Sequence, residues 1–519
     1  MQHRSIDGMR SALEHGVMRL LYLFTLALLL TVSPSPAEGK RGRSKAHQSP
    51  TKVAKPRAGK SAAVKQENRL SKRLTSPTTR TKPAAKPPAT SPQTQTKSAT
   101  KPNAALQRVK GALPRLRRNK TRRAKHNESG ELLFENSAAL QKRLEMIGSA
   151  KSEILMSTYI FTDDVSGNKV AQALGAAARS GVRVHLIVDG QGTKLSKEME
   201  STLRRDGVEI GVHNKLSLKS FFNLAKAQRR MHDKLLVIDG QTLLVGGRNI
   251  GDPYFATSGD FVKTDLEVVV AGRSAESARI YFKKLWDGPL VQGSNKTISL
   301  FSSILRPFRR ENRGQARFAS DAPHTTTKIK SENTTTSQVQ QLIASAQSEV
   351  VIRTPYLIPT KGVMRALQSA LKRGVKVRVF TNSFATRDTV LSQLGYEASF
   401  QQLARMGVEI HEFKATASHR EARHEKAIVV DARHVLVGSH NIDPRSEHHN
   451  KETGVVFSDR SMAKKLLAQN NQVREASSLV AKNGKVLLSG KSRGCGPGCR
   501  ALVAVAGPIL KLTGLMSLL

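Results

Sequence analysis

Two distant stretches of the chain carry the same pattern. One runs Arg230-Met231-His232-Asp233-Lys234-Leu235-Leu236-Val237-Ile238-Asp239, the other Arg423-His424-Glu425-Lys426-Ala427-Ile428-Val429-Val430-Asp431. Each reads H-x-K-x4-D. Each is followed by a glycine turn that ends in asparagine, Gly246-Gly247-Arg248-Asn249 and Gly438-Ser439-His440-Asn441. The surroundings repeat too. The stretches Ser149 to Tyr159 and Ser345 to Tyr356 match. Each leads to a helical segment, Val170 to Arg179 or Val363 to Arg373, and then to a glycine, Gly181 or Gly374, that reads as a helix stop. Alternating apolar strands follow at Val182 to Asp189 and Val375 to Thr381, and then Gly207 to Ile210 matches Gly407 to Ile410. The offset is about 195 residues. Repeats of that length are duplicated domains rather than solenoid units.

Strand-helix-strand order repeated in this way predicts an α/β fold, two tandem lobes with mixed sheets between helices. The lobes are expected at 127–291 and 336–475, joined by a Ser-, Thr-, Asn- and Arg-rich linker at 292–335 and followed by a tail at 476–519. In the tail, Ala501 to Leu519 is apolar but broken by Gly507, Pro508 and Gly514, which suits docking on the core or contact with lipid.

The motif residues form a reactive set. On a strand, His232 and Lys234 flank one residue and share a face, as do His424 and Lys426. The following apolar runs read as buried strands. The glycine turns let Asn249 and Asn441 curl back beside the histidines. An imidazole can attack phosphorus, while an ammonium and an amide stabilise charge on the phosphate oxygens. Ser439, in the second turn, joins the two asparagines as a candidate phosphate ligand. No acidic cluster is arranged for a divalent metal, so the lysines take the role a metal would have, and no cofactor is expected. One histidine is not enough, because the displaced alcohol needs a proton; the second half-site supplies it. The two copies are therefore expected to meet about a pseudo-twofold axis at one phosphodiester. A carboxylate on the far ring nitrogen would orient each imidazole. Asp265 and Glu267 follow the first motif and Glu452 the second, and the register of the following valines pairs Asp265 with Glu452. Asp239 and Asp431 complete the motifs but sit past the buried strands, where they read as holding the turn.

One H-x-K-x4-D arises by chance often; two copies with the same asparagine tail inside matched repeats do not. These residues make the chain resemble the phospholipase D superfamily, the HKD enzymes, across roughly 130–475. The segments Arg229 to Leu235, Gly246 to Phe255, Thr354 to Pro359, Thr381-Asn382-Ser383 with Asp388, and Gly438 to Ser446 are similar to bacterial cardiolipin synthases of the C type. The resemblance implies a phosphatidyl group passed through a phosphohistidine to the headgroup hydroxyl of a second lipid. Carried over, His232 would be the nucleophile and His424 the general acid/base, an order that the symmetry of the two copies leaves open. Water could replace the lipid acceptor, giving an exported hydrolytic phospholipase D that releases phosphatidic acid. The same superfamily contains secreted HKD nucleases, which carry one motif per chain and dimerise. This chain has two, which fits a functional monomer. A binding protein with a dead site would lack a motif residue, and none is missing.

Charge places the enzyme near anions. The formal net charge is +45, and residues 38–125 hold 26 Lys/Arg against two acids. This basic arm, 38–126, has too few apolar groups to offset its ordering entropy and is expected to be disordered. It suits an anionic membrane surface, and nucleic acid equally. Leu20 to Val32 is an apolar run after Arg10 and Arg19 and before a small-residue site at Ala37, the pattern of a secretory signal over 1–37. Export to the periplasm, the medium or the membrane periphery is expected, with an uncleaved anchor as the rival. The two cysteines, Cys495 and Cys499, cannot make a zinc site alone, and their spacing leaves a small disulfide loop open.

Overall fold

The computed structural model describes residues 130–215, 228–259, 261–293, 316–322, 334–415 and 420–488, with 501 and 504. The expected signal segment, the basic arm and both cysteines lie outside the described residues.

The first lobe is built from β1 (Gly130–Leu133), α1 (Asn136–Ser149), β2 (Glu153–Thr158), α2 (Val165–Arg179), β3 (Arg183–Asp189), α3 (Lys197–Arg205), β4 (Glu209–His213), β5 (Lys234–Ile238), β6 (Thr242–Gly246), the short α4 (Asp252–Phe255), β7 (Phe261–Thr264), β8 (Glu267–Ala271), α5 (Arg273–Trp286) and β9 (Val291–Gln292). The second comprises β10 (Ala316–Ser320), α6 (Thr335–Ser345), β11 (Glu349–Arg353), α7 (Lys361–Lys372), β12 (Lys376–Asn382), α8 (Val390–Arg405), β13 (Glu409–Phe413), β14 (Arg420–Arg423), β15 (Ala427–Val430), β16 (His434–Gly438), α9 (Pro444–His448), β17 (Thr453–Ser458), α10 (Arg460–Glu475), β18 (Ser477–Lys482) and β19 (Lys485–Val486).

The duplication is visible in the sheets. Strand order is β1-β8-β6-β5-β2-β3-β4-β9 in the first lobe and β10-β17-β16-β15-β11-β12-β13-β18-β19 in the second. In each, the three strands joined by helices run parallel, and the motif strand, β5 or β15, lies antiparallel beside them. The fold is α/β with two mixed sheets. The residues read as linker contain β10, which pairs with β17, and those read as tail contain β18, which pairs with β13. The second lobe therefore begins earlier and ends later than the bounds 336–475. The repeat also holds a helix that the sequence reading passed over, α3 and its counterpart α8.

Local chemistry starts these helices. Asp164, Ser196, Thr334, Thr360, Thr389 and Asp459 each accept a backbone N–H of the first turn, contributing about 1 kcal/mol apiece. Gly181 and Gly374 sit at φ +89° and +80°, the left-handed stop expected of them.

Alternation on the motif strands assigns each side chain to a core. Leu236 and Ile238 face an outer core with α1 to α3, and Ile428 and Val430 face its equivalent with α6 to α8. Leu235, Val237, Ala427 and Val429 face a central core instead. That core is shared: α5, with Phe282 and Trp286, and α10, with Leu466 and Val473, pack between the sheets. One continuous apolar cluster thus fixes one lobe against the other.

Backbone ladders also cross between lobes. β7 of the first pairs in parallel with β14 of the second. On the opposite side Met231 bridges Lys451. No helix among the described residues is long and apolar enough to cross a membrane.

Candidate active site

Each motif histidine stands where a motif strand begins, next to the crossing backbone of the other lobe. The His232 amide donates to the Lys451 carbonyl at 2.9 Å, and the His424 amide donates to the Thr264 carbonyl at 2.8 Å. The residue after each acceptor is a carboxylate. His232 Nδ1 lies 3.0 Å from both oxygens of Glu452. His424 Nδ1 lies 2.6 Å from Asp265 Oδ2. The carboxylates that meet the two rings, Glu452 and Asp265, each come from the lobe opposite their histidine. Glu267, the other acid considered, is paired with Arg143 at 2.5 Å and Arg248 at 3.6 Å and belongs to the scaffold.

The lysines hold the backbone at the same place. Lys234 Nζ donates to the His232 carbonyl at 2.7 Å, and Lys426 Nζ donates to the His424 carbonyl. Lys426 Nζ also stands 2.8 Å from His424 Nδ1, so this ring nitrogen has two neighbours. The Asp265 contact is the one to keep: Nδ1–H donates to the carboxylate, and the ammonium already has the carbonyl. With Nδ1 committed in both rings, Nε2 is the nitrogen left for chemistry.

Everything here is buried. Lys234 and Lys426 are 2% and 1% exposed, and Asp265 and Glu452 are fully covered. Burial pulls His232 down to about 4, against the pull of Glu452. Burial, then Lys426 and Lys263, holds His424 well below the usual range. Burial brings Lys234 to about 7 and Lys426 to about 8. Burial alone would raise Glu452, but His232 and its other neighbours bring it to about 2. Asp265 goes the other way, raised by burial. Each lysine acts on the histidine of the other motif, so the half-sites share one field.

The remaining expected residues are placed as follows. Asn249 does not lie directly on a histidine: its Oδ1 accepts the Ile160 amide at 3.1 Å and its Nδ2 donates to the Tyr254 hydroxyl at 2.8 Å. Asn441 takes its backbone N–H to Ser446 Oγ, while its side-chain carbonyl is buried with no hydrogen-bond partner among the described residues. Ser439 donates to Glu452, so its hydroxyl serves the carboxylate of His232 rather than pointing at substrate. Asp239 and Asp431 are far from this chemistry. Asp239 accepts the amides of Lys151, Ser152 and Glu153, and Asp431 those of Gln347, Ser348 and Glu349. Both adopt positive φ, at 52° and 51°, and tie the motif strand to the start of its neighbour. Among the described residues there is no cluster of three or more His, Cys, Asp or Glu fit for a metal ion.

Several neighbours of these residues were not legible beforehand. Tyr159 meets His232 edge-on at 5.3 Å and carries Lys234 over its ring; Tyr254 meets His424 at 5.4 Å. Ser446 and Asn450 join Ser439 on Glu452. Tyr159 stood in the repeat itself, but nothing in its spacing said it would wall a histidine.

A family model described as cardiolipin synthase, PLD-like domain, matches residues 144–286 and again 339–474. The chain belongs to the phospholipase D-like family. It is accordingly a phosphatidyltransferase or phosphodiesterase of the phospholipase D superfamily. Cardiolipin synthase C of Escherichia coli K12 is 27% identical over 379 residues, 63% of this chain and 80% of the relative. An uncharacterized protein of Helicobacter pylori 26695 is 27% identical over 420 residues, 70% of this chain and 82% of the relative. Among solved structures, the phosphatidylserine synthase of Haemophilus influenzae Rd KW20 superposes with a TM-score of 0.58 at 15% identity, covering 75% of this phospholipase D-like chain and 95% of that one. At that identity the likeness is one of fold.

Proposed function

We propose that the protein transfers a phosphatidyl group from one phospholipid to the headgroup hydroxyl of another through a phosphohistidine. The observation that carries this reading is the crossed pair of Nδ1–carboxylate contacts, His232 with Glu452 and His424 with Asp265, each beside its own buried lysine.

His232 is assigned the nucleophile. Its Nε2 attacks phosphorus while the bond from phosphorus to the leaving alkoxide breaks. His424, as imidazolium, gives its proton to that oxygen. Neutral His424 then takes the proton of the acceptor hydroxyl, whose oxygen attacks phosphorus as the phosphorus–nitrogen bond breaks and His232 is restored. Before substrate arrives, burial keeps both rings neutral, which a nucleophile needs. Entry of a phosphodiester anion favours every cationic form at once, charging Lys234, Lys426 and the acid histidine as the charge they must stabilise appears. Asn441 is assigned this role, through the donor end of a side chain whose carbonyl has no partner among the described residues.

The test is incubation with labelled phosphatidylglycerol vesicles, with and without phosphatidylethanolamine, and separately with plasmid. A dianionic diphosphatidyl lipid is the expected product. Phosphatidic acid alone would mean that water is the acceptor and would overturn transfer; nicked plasmid without lipid turnover would overturn the lipid reading altogether.

A further inference from the structure

The two half-sites are not chemical copies. Beside His232, Glu452 accepts hydrogens from Ser439, Ser446 and Asn450. Counted from the motif asparagines and the carboxylates, the matching positions beside His424 are Gly247, Tyr254 and Lys263. Gly247 has no side chain to donate, and a Cβ there would stand 2.1 Å from Asp265 Oδ1. Lys263 turns to another anion. Lys263 Nζ lies 2.9 Å from Asp388 Oδ2, across the lobe boundary. The Tyr356 hydroxyl donates to the same carboxylate at 2.9–3.0 Å. Lys263 also stands 5.1 Å over the Tyr254 ring, with Nζ 3.4 Å from its hydroxyl. Tyr254 in turn receives Asn249 and walls His424. An unbroken line of contacts runs Tyr356–Asp388–Lys263–Tyr254 and ends on two site residues, with no equivalent beside His232 among the described residues.

We infer that Asp388, Lys263 and Tyr356 are positioning residues for the transfer reaction, an interlobe brace that holds Tyr254 against His424 and Asn249. This rests on the acid/base role assigned to His424 above. The brace also sets charge. The groups facing His424 are Asp265, Lys426, Lys234, Lys263, Asp388 and Tyr254. Asp388 favours its protonated form and Lys263 opposes it. Neutralising one partner alone unbalances the other in a buried setting where screening is weak.

The experiment uses the full chain carrying Asp388→Asn, Lys263→Met, or both, on phosphatidylglycerol vesicles. kcat and KM are measured across pH, alongside thermal melting. Asp388→Asn should lower kcat roughly tenfold or more with KM little changed, and move the limb belonging to His424 to lower pH. Lys263→Met should move it to higher pH, and the double variant should bring it back. If Asp388→Asn does not fold, the Lys263→Met shift and its reversal in the double variant decide. Losses that are flat with pH and follow melting temperature would reduce the brace to a structural ion pair and overturn the inference; so would unchanged kinetics. If lipid is hydrolysed rather than transferred, the limb is still measurable on hydrolysis, so that failure belongs to the proposed function and not to the brace.

Discussion

His232 and Lys451 are joined backbone to backbone across the two lobes, amide to carbonyl at 2.9 Å, and the residue after Lys451 is the carboxylate that takes the ring of the same histidine. His424 and Thr264 repeat the arrangement at 2.8 Å, with Asp265 next in line. The carboxylate is thus delivered by a main-chain register, which fixes it far better than a free side chain could be.

The first prediction is that the crossed pairs act as units. His424→Ala and His232→Ala should each lower turnover about 10²- to 10⁴-fold or more. Adding Asp265→Asn to His424→Ala, or Glu452→Gln to His232→Ala, should cost little further. Labelled phosphatidylglycerol turnover in these double-mutant cycles checks it. Non-additivity between His232 and Asp265 instead, the pairing within a lobe, would sink the crossed scheme.

Asp239→Ala and Asp431→Ala should damage the fold rather than the chemistry. Each removes an acceptor of several amides and places alanine at positive φ, with a loss of roughly 1–3 kcal/mol. Melting temperature should fall while kcat at low temperature stays near the parent value. A selective loss of kcat in a normally stable variant would count against the structural role.

Asp233 offers a pH test of stability. It is fully buried, bonded to the Tyr281 hydroxyl at 2.5 Å, and burial raises it to about 8. The folded state therefore keeps a proton that the unfolded chain gives up near the ordinary carboxylate value of 3.8. Stability from this group is full below that value and is lost as pH rises toward 8. Asp233→Asn keeps the shape and cannot ionise, so its melting temperature should gain on the parent as pH goes from 5 to 8, by about 1–2 °C per kcal/mol for a folded unit of this size. A constant difference across that range would refute it.

His232 gives the opposite slope. Its folded value of about 4 lies below the ordinary 6.5, so the unfolded chain binds the proton first. Its contribution is present above 6.5 and is lost as pH falls toward 4. His232→Gln should flatten the acid side of the melting-temperature profile; an unchanged profile would show that the ring is not held neutral.

Turnover should persist in EDTA, because the proposed mechanism gives Lys234 and Lys426 the charge-stabilising part a metal would otherwise play. Activity lost to the chelator and recovered only with a divalent ion would contradict it.

The sequence was legible where a repeat doubled the signal. His232, His424, their lysines and the strand-helix-strand order stood out because two copies vouched for each other, and the same logic picked Asp265 and Glu452. It failed where the copies had diverged or where the third dimension intervened. Tyr254 and Ser446 share a position but not a chemistry, so comparison of the halves gave no hint of either. Lys263 and Asp388 are 125 residues apart and meet only because the lobes face each other. The crossing of the carboxylates had no local signature, since it follows from the packing of two lobes about α5 and α10. β10 escaped notice because Ala316-Arg317-Phe318-Ala319-Ser320 is too polar and short to look like a strand without its partner.

The inner face of each sheet closes on a core to which both lobes contribute, so a single lobe standing alone would leave part of that apolar surface open to water. With both lobes in one chain that surface is always closed, and the two halves carry different neighbours: hydroxyls and an amide around Glu452, a tyrosine and a lysine beside His424.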